Sequence, residues 1–275
     1  MLGLEQRETE PTMHRAVVTP FRQGEIATPV RLLCDGYLIE GATSLRELIE
    51  IVSEKSVEHP GRQLIATLDD FDQACDASAH TIEAYDLDRT DGHDLSSVDS
   101  AAFKNGEHLG YLSTKSEFFI RRQNVMKHVA DMTFVDACGK LSWGPDHQGR
   151  DFFSLNANPG TMLDSSICIQ IVPVAHACEA VSAFPNGCFS DDLNPFEMYE
   201  VAKHLEEHYG YRLFGIGASY LGFLRGSGPS DAAADKALAT DLLTLFGEAR
   251  NKELAGRVAR MIGESPHLFF KYTAH

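Results

Sequence analysis

The sequence has too few basic side chains to balance its acidic ones. It contains 24 lysines and arginines against 40 aspartates and glutamates, which gives a formal net charge of -16. A chain this negative is repelled by the phosphate backbone of nucleic acid and by anionic membrane surfaces. We therefore expect neither direct nucleic-acid backbone binding nor membrane binding, and we expect a basic protein as the partner.

Long apolar runs are also missing from the sequence. No window reaches the roughly 20 apolar residues that a membrane-spanning helix needs, and residues 1–12 are too polar for a secretory signal peptide. The six cysteines are scattered without a CxxC pair, which is typical of reduced core residues in a cytosolic protein. These features predict a cytoplasmic protein.

Motifs that bind nucleotides or carry a nucleophilic serine are absent. Residues 215–217 and 226–228 lack the further glycine or lysine of a phosphate-binding loop, and no Gly-x-Ser-x-Gly elbow occurs. Cys188 lies in a loop, but as a nucleophile it would need a base, and only His176 and His204 are close in sequence. A half-buried structural cysteine is the simpler interpretation. We therefore expect no catalytic set and no cofactor.

One motif leaves a metal-dependent alternative open. His204, Glu207 and His208 fit the pattern H-x-x-E-H, in which two histidines one helical turn apart hold zinc and the glutamate acts as a base. The sequence does not indicate a third ligand. A zinc-dependent hydrolase with His204 and His208 as metal ligands is the alternative function, and a structural or assembly component is another.

Carboxylates are concentrated in one stretch of the chain. Between Asp69 and Asp99 there are ten of them, against Arg89 alone. Like charges at this density must face water, a cation or a basic partner. A calcium loop of the EF-hand type fails here, because positions six and twelve counted from Asp86 are not Gly and Glu. We therefore expect an acidic docking surface formed by Asp69, Asp70, Asp72, Asp76, Asp86, Asp88, Asp91 and Asp94.

Helix-capping signals and apolar periodicity predict an α+β fold. Helices are expected after Ser44, Thr114 and Asn194, each followed three residues later by a glutamate. Strands are expected at 80–87 and 151–155, among others, and a hairpin over 132–143. Strands and helices that alternate in small units indicate mixed or antiparallel sheets with helices packed on one face.

A change in charge and regularity near residues 150–165 predicts two domains. Residues 1–12 are expected to be a flexible tail, residues 13–160 an acidic N-terminal α+β domain and residues 161–275 a C-terminal α+β domain. Half of the 40 carboxylates fall within residues 1–100. The N-terminal half is therefore the expected binding surface.

The C-terminal region resembles a bacterial family described as domain of unknown function 4253. Residues 183–195 form a loop with Asn and Gly that leads into Pro195 and an acidic helix, as in that family. The helix ends at Tyr209-Gly210, and apolar strands, a Pro-containing linker, Ala-rich helices and the aromatic strand at 268–270 follow in the same order. The resemblance covers residues 166–272. The loop tryptophan of the family is replaced by Phe189 or is absent here.

This resemblance implies an α+β domain of bacterial or phage origin without an assigned activity. It also makes the loop residues Asn186, Asp191 and Asp192 candidates for binding. Together with the charge distribution, it leads us to expect a non-enzymatic interaction protein. Such a protein would be immunity-like or inhibitor-like, and would dock a basic partner through its acidic N-terminal surface.

Overall fold

The computed structural model describes residues 16–145, 148–226 and 231–273. The predicted tail at residues 1–12 lies outside these ranges. The described strands are β1 Val17–Phe21, β2 Gly36–Glu40, β3 Gln63–Ala66, β4 Phe103–Lys104, β5 Glu107–His108, β6 Ser166–Val172, β7 Tyr211–Ile216, β8 Tyr220–Arg225 and β9 His267–Lys271. The described α-helices are α1 Leu45–Glu58, α2 Phe71–Ala84, α3 Phe118–Val129, α4 Phe134–Ala137, α5 Phe152–Ala157, α6 Pro195–Tyr209, α7 Ala232–Leu245 and α8 Lys252–Glu264.

Seven of these strands form one mixed sheet in the order β1-β2-β6-β3-β7-β8-β9, and β4 and β5 form a separate pair. All neighbours in the large sheet are antiparallel except β3 and β7, which are parallel. The predicted α+β class is thereby confirmed. Among the described residues, no helix is long and apolar enough to cross a membrane.

Strand β6 joins the two halves of the sequence. It pairs with β2 on one side and with β3 on the other, so that Ile169 lies opposite both Tyr37 and Ala66. Strands from both sides of the predicted boundary near residue 160 therefore share one sheet. In the described chain the large sheet thus takes strands from both predicted domains, while β4 and β5 pair with each other within the first.

Both faces of the sheet are covered by helices. Ile167 and Ile169 of β6 face the core beneath α1, together with Leu48 and Leu64. On the opposite face, Cys168 packs in the core formed with α2, α3, α6, α7 and α8. Most helices thus lie on one face as expected, but α1 covers the other, because the connection from β2 to β3 must cross β6.

The predicted helix starts are confirmed. Ser44 accepts a hydrogen bond from the backbone N–H of Glu47 at the start of α1. Thr114 and Glu117 form a capping box before α3, and Asn194 and Glu197 form another at the start of α6. Each side chain satisfies a backbone donor that has no partner within its helix.

Three predicted β segments are helical instead. Residues 80–84 continue α2, whose buried residues Ala74, Cys75, Ser78 and Thr81 are too small and polar to produce an apolar stripe. Residues 134–137 form the short helix α4, and Asp151 caps α5 by accepting the Ser154 N–H at 2.8 Å. These predictions were wrong because short apolar and aromatic runs occur in helices as well as in strands. In these segments a capping residue starts a helix.

Shortening single side chains of β6 tests whether this strand lies at the centre of the core. Ile169 has 0% of its surface exposed, so Ile169→Ala should lower the free energy of unfolding by about 2–5 kcal/mol. Ile171→Ala removes the same atoms from a half-buried position of the same strand and should cost clearly less. Urea unfolding of the two variants measures the difference, and equal losses would contradict the assigned packing.

Candidate functional site

The expected acidic surface is organised by α2. Asp70 caps this helix by accepting the Gln73 N–H at 3.1 Å, from a left-handed backbone conformation with φ of 40°. Asp72, Asp76 and Glu83 project from one side of α2, within about 40° of one another at 100° per residue. Asp86 follows the helix and is exposed.

Two of the eight predicted surface aspartates are partly buried and hydrogen-bonded within the fold. Asp88 forms a two-point ion pair with the buried Arg121, with oxygen–nitrogen distances of 2.6 and 2.9 Å. This pairing neutralises an arginine that has no exposed surface. Asp69 turns inwards at the end of β3, where its Oδ2 accepts the Ser219 N–H at 3.0 Å.

The other predicted aspartates remain at the surface. Asp91 is exposed but paired with Arg89 at 2.7 Å, and Asp94 accepts the Ser96 N–H, which lowers the pKa of its carboxyl. We define the acidic face as the five exposed carboxylates of α2 and its ends: Asp70, Asp72, Asp76, Glu83 and Asp86. None of the five forms a salt bridge with a described lysine, arginine or histidine.

The loop singled out by the family resemblance lies against α2. The Cys188 thiol interacts with the hydroxyl of Thr81, a buried residue on the side of α2 opposite Asp72, Asp76 and Glu83. Phe189 is 67% exposed, and Asp191 is exposed on the same loop. The loop therefore adds an apolar side chain and another carboxylate to the neighbourhood of α2. From the sequence, Phe189 is noted only as the residue at the position of the family's loop tryptophan, and its exposure cannot be read from residue type.

The remaining loop candidates are interior. Asn186 is fully buried and Asp192 is 4% exposed, so neither belongs to the outer surface. The Asp192 and Asp69 carboxylates and the Cys188 thiol all lie close enough to the buried Tyr272 to influence its hydroxyl electrostatically. Tyr272 donates to the backbone carbonyls of the turn after β7 at 2.9 and 3.0 Å. This buried junction ties the loop to the ends of β3 and β9.

Cys188 has no feature of an activated nucleophile. Burial raises the pKa of its thiol, and the nearby Asp192 carboxylate raises it further. The thiolate is the reactive form, so a raised pKa lowers reactivity at neutral pH. His176 is exposed and His204 is engaged elsewhere, so neither of the bases considered from sequence is shown beside the thiol.

The histidine pair on α6 has other partners. His204 Nε2 lies 2.7 Å from Asp241, which also accepts the Tyr209 hydroxyl, and the His204 ring stacks on Phe134. His208 Nδ1 contacts the His204 carbonyl oxygen. Within the described ranges, no group of three or more His, Cys, Asp or Glu side chains could hold a metal ion. The geometry therefore adds no support for the zinc hydrolase.

The buried Asp69 carboxyl makes stability pH-dependent. Burial raises its pKa from 3.8 to about 7 in the folded chain, against the opposing effect of the Ser219 hydrogen bond. Between these values the native state keeps a proton that the unfolded state releases, so the free energy of unfolding falls as pH rises. The stability that the protonated Asp69 contributes to the folded chain is fully present below pH 3.8. It falls progressively as the pH rises and is lost above about pH 7. At about 1.4 kcal/mol per pKa unit, the whole change is about 4 kcal/mol.

Asp69→Asn should remove this slope, because the amide cannot ionise. Between pH 5 and pH 8 the variant should gain about 3 kcal/mol of unfolding free energy relative to the unmodified chain. Urea unfolding at both pH values measures the gain, with Asp191→Asn as the exposed control that should leave the difference unchanged. Parallel stability curves for Asp69→Asn and the unmodified chain would show that Asp69 does not titrate in this range.

Comparisons with protein-family models, with curated proteins and with solved structures find no match for this chain. The resemblance to domain of unknown function 4253 therefore stays a prediction.

Proposed function

We propose that the protein is a non-enzymatic binding protein that docks a basic partner on the acidic face. The observation that carries the proposal is the row of exposed carboxylates on one side of α2 without a described cation to neutralise them. An immunity-like or inhibitor-like protein uses such a surface to neutralise a basic target. The partner's lysines and arginines would relieve the repulsion among these carboxylates.

For binding a basic partner, the position of each carboxylate matters more than the total number of carboxylates. Asp88 and Asp91 already have arginine partners, whereas Asp72, Asp76 and Glu83 have none among the described residues. Complementary surface charge mainly accelerates encounter and selects the partner, so binding should weaken as salt is added. A partner that also covers the loop at 183–195 would bury the exposed Phe189, and a buried aromatic anchor contributes affinity at an interface.

Neutralising the acidic face tests the proposal. Asp72→Asn, Asp76→Asn and Glu83→Gln combined should weaken binding of a fluorescein-labelled octalysine peptide about tenfold at low ionic strength. Fluorescence anisotropy of the full chain gives the dissociation constant. The helix should persist, since losing Asp72 near its N-terminus costs about 0.3–1 kcal/mol and losing Glu83 near its C-terminus offsets part of that.

The matched control removes three exposed carboxylates elsewhere. Glu40→Gln, Glu107→Gln and Glu264→Gln combined change the net charge equally but leave the acidic face intact. When both triple variants are compared again at about 0.1 M ionic strength, the control should bind octalysine within about twofold of the unmodified chain, because charges more than about 10 Å away are then screened. Equal weakening of both triple variants would show that total charge attracts the peptide, and would refute a dedicated surface. Failure of the unmodified chain to capture any basic protein at low salt would also count against the proposal.

Phe189 should contribute only when the partner offers apolar contact. Phe189→Ala should weaken binding of a peptide of alternating Lys and Leu several-fold more than it weakens octalysine binding, as the aromatic anchor is lost. Val135→Ala is the control, because Val135 is an exposed apolar residue, 74% accessible, on the separate helix α4. If the two substitutions had equal effects on the Lys–Leu peptide, Phe189 would not be part of the docking surface.

A further inference from the structure

A groove runs along α1 on the sheet face opposite α2. Its wider part, a cavity of about 740 Å³, is lined by Leu45, Ile49, Pro159 and His267, among others. A second cavity of about 490 Å³ adjoins it, since Ile49 lines both. Leu224 of the second cavity and His267 of the first are paired residues of β8 and β9, so the two cavities meet over the same strands.

Three arginines line the second cavity, and no carboxylate does so among the described residues. Arg225 is committed to Asp235 at 2.9 Å and to carbonyl oxygens at the end of α8. Arg212 is half-exposed, donates to the neutral Gln63 and forms an ion pair with Glu206 at 3.6 Å. The exposed Arg62 makes no side-chain hydrogen bond or ion pair with a described residue. Arg62 and Arg212 therefore retain donors for an external anion.

The remainder of the groove is mostly apolar, although Arg46, Glu50 and Asn158 also line the wider cavity. Val52, Leu64, Phe214 and Leu224 line the cavity that contains the arginines. Leu45 and the ring of Pro159 continue this surface into the wider cavity. A site of a few hundred Å³ with an apolar floor and a few convergent polar groups is typical of small-molecule binding. An arginine fork binds carboxylate or phosphate through two parallel hydrogen bonds.

We infer that this groove binds an amphipathic anion, with a carboxylate or phosphate head at Arg62 and Arg212 and an apolar body along α1 towards His267. The net charge of the chain does not prevent this. The acidic face lies on the other side of the sheet, and helix and sheet layers are each about 10 Å thick. Both sets of charges are exposed to solvent on opposite sides of the sheet, so salt screens much of their interaction. This site is independent of the proposed partner surface.

Calorimetric titration of the full chain tests the inference, with sodium dodecanoate and dodecyl phosphate as separate probes below their micelle concentrations. Either anion should bind at least tenfold more tightly than the uncharged dodecanol, and the tighter of the two identifies the head group. Arg62→Ala combined with Arg212→Ala should weaken that binding at least tenfold. Arg250→Ala, which removes an exposed arginine elsewhere, should leave it within twofold.

Ile49→Gln tests the apolar part, because this half-buried residue lines both cavities. The variant should bind either anion at least fivefold more weakly, and circular dichroism melting checks that it remains folded. Should it unfold, the dodecanol comparison and the arginine variants still decide the question. Equal binding of dodecanol and dodecanoate, no binding of either anion, or no effect of the arginine variants would each overturn the inference. A concentration-dependent dimer in sedimentation that Ile49→Gln abolishes would overturn it too, because a second copy would then cover the groove.

Discussion

The structure depends on the backbone hydrogen bonding of β6 along both of its edges. β2 and β3 each pair with it antiparallel, and its two faces enter two different cores. Because β2 and β3 flank β6, the connection between them must pass over one face, and this connection is α1. α2 follows β3 and packs against β6 from the other face. The acidic face and the arginine-lined groove are consequently held on opposite sides of one sheet.

Sequence reasoning predicts the parts of the fold that are determined by interactions between residues close together in the sequence. Ser44, Thr114 and Asn194 were assigned as helix starts because their side chains bond backbone groups three residues away, and that geometry needs no tertiary contact. α2 was partly missed because its buried side, built around Ala74 and Ser78, has almost no hydrophobic signal. The insertion of β6 between β2 and β3 joins residues more than a hundred positions apart, and no local pattern encodes such a pairing.

The candidate site was only partly predictable for a related reason. Counting carboxylates locates the acidic stretch, but the count does not distinguish Asp72 at the surface from Asp88, which neutralises the buried Arg121. The count also does not reveal that the Asp69 carboxyl turns inwards, where its Oδ2 accepts the backbone N–H of Ser219. The arginine-lined groove was not predicted, because Arg62 and Arg212 are 150 residues apart and are brought together by the sheet.

Charge recognition by this protein should be localised on α2. Carbodiimide coupling tests it most directly, because the reagent joins a carboxylate to an amine that is in contact with it. Coupling of octalysine to the full chain at low ionic strength, followed by mass spectrometry of the peptides, locates those contacts. The account predicts cross-links concentrated on Asp72, Asp76 and Glu83, and lost as salt is added. Cross-links spread evenly over exposed carboxylates such as Glu107 and Glu264 would contradict it.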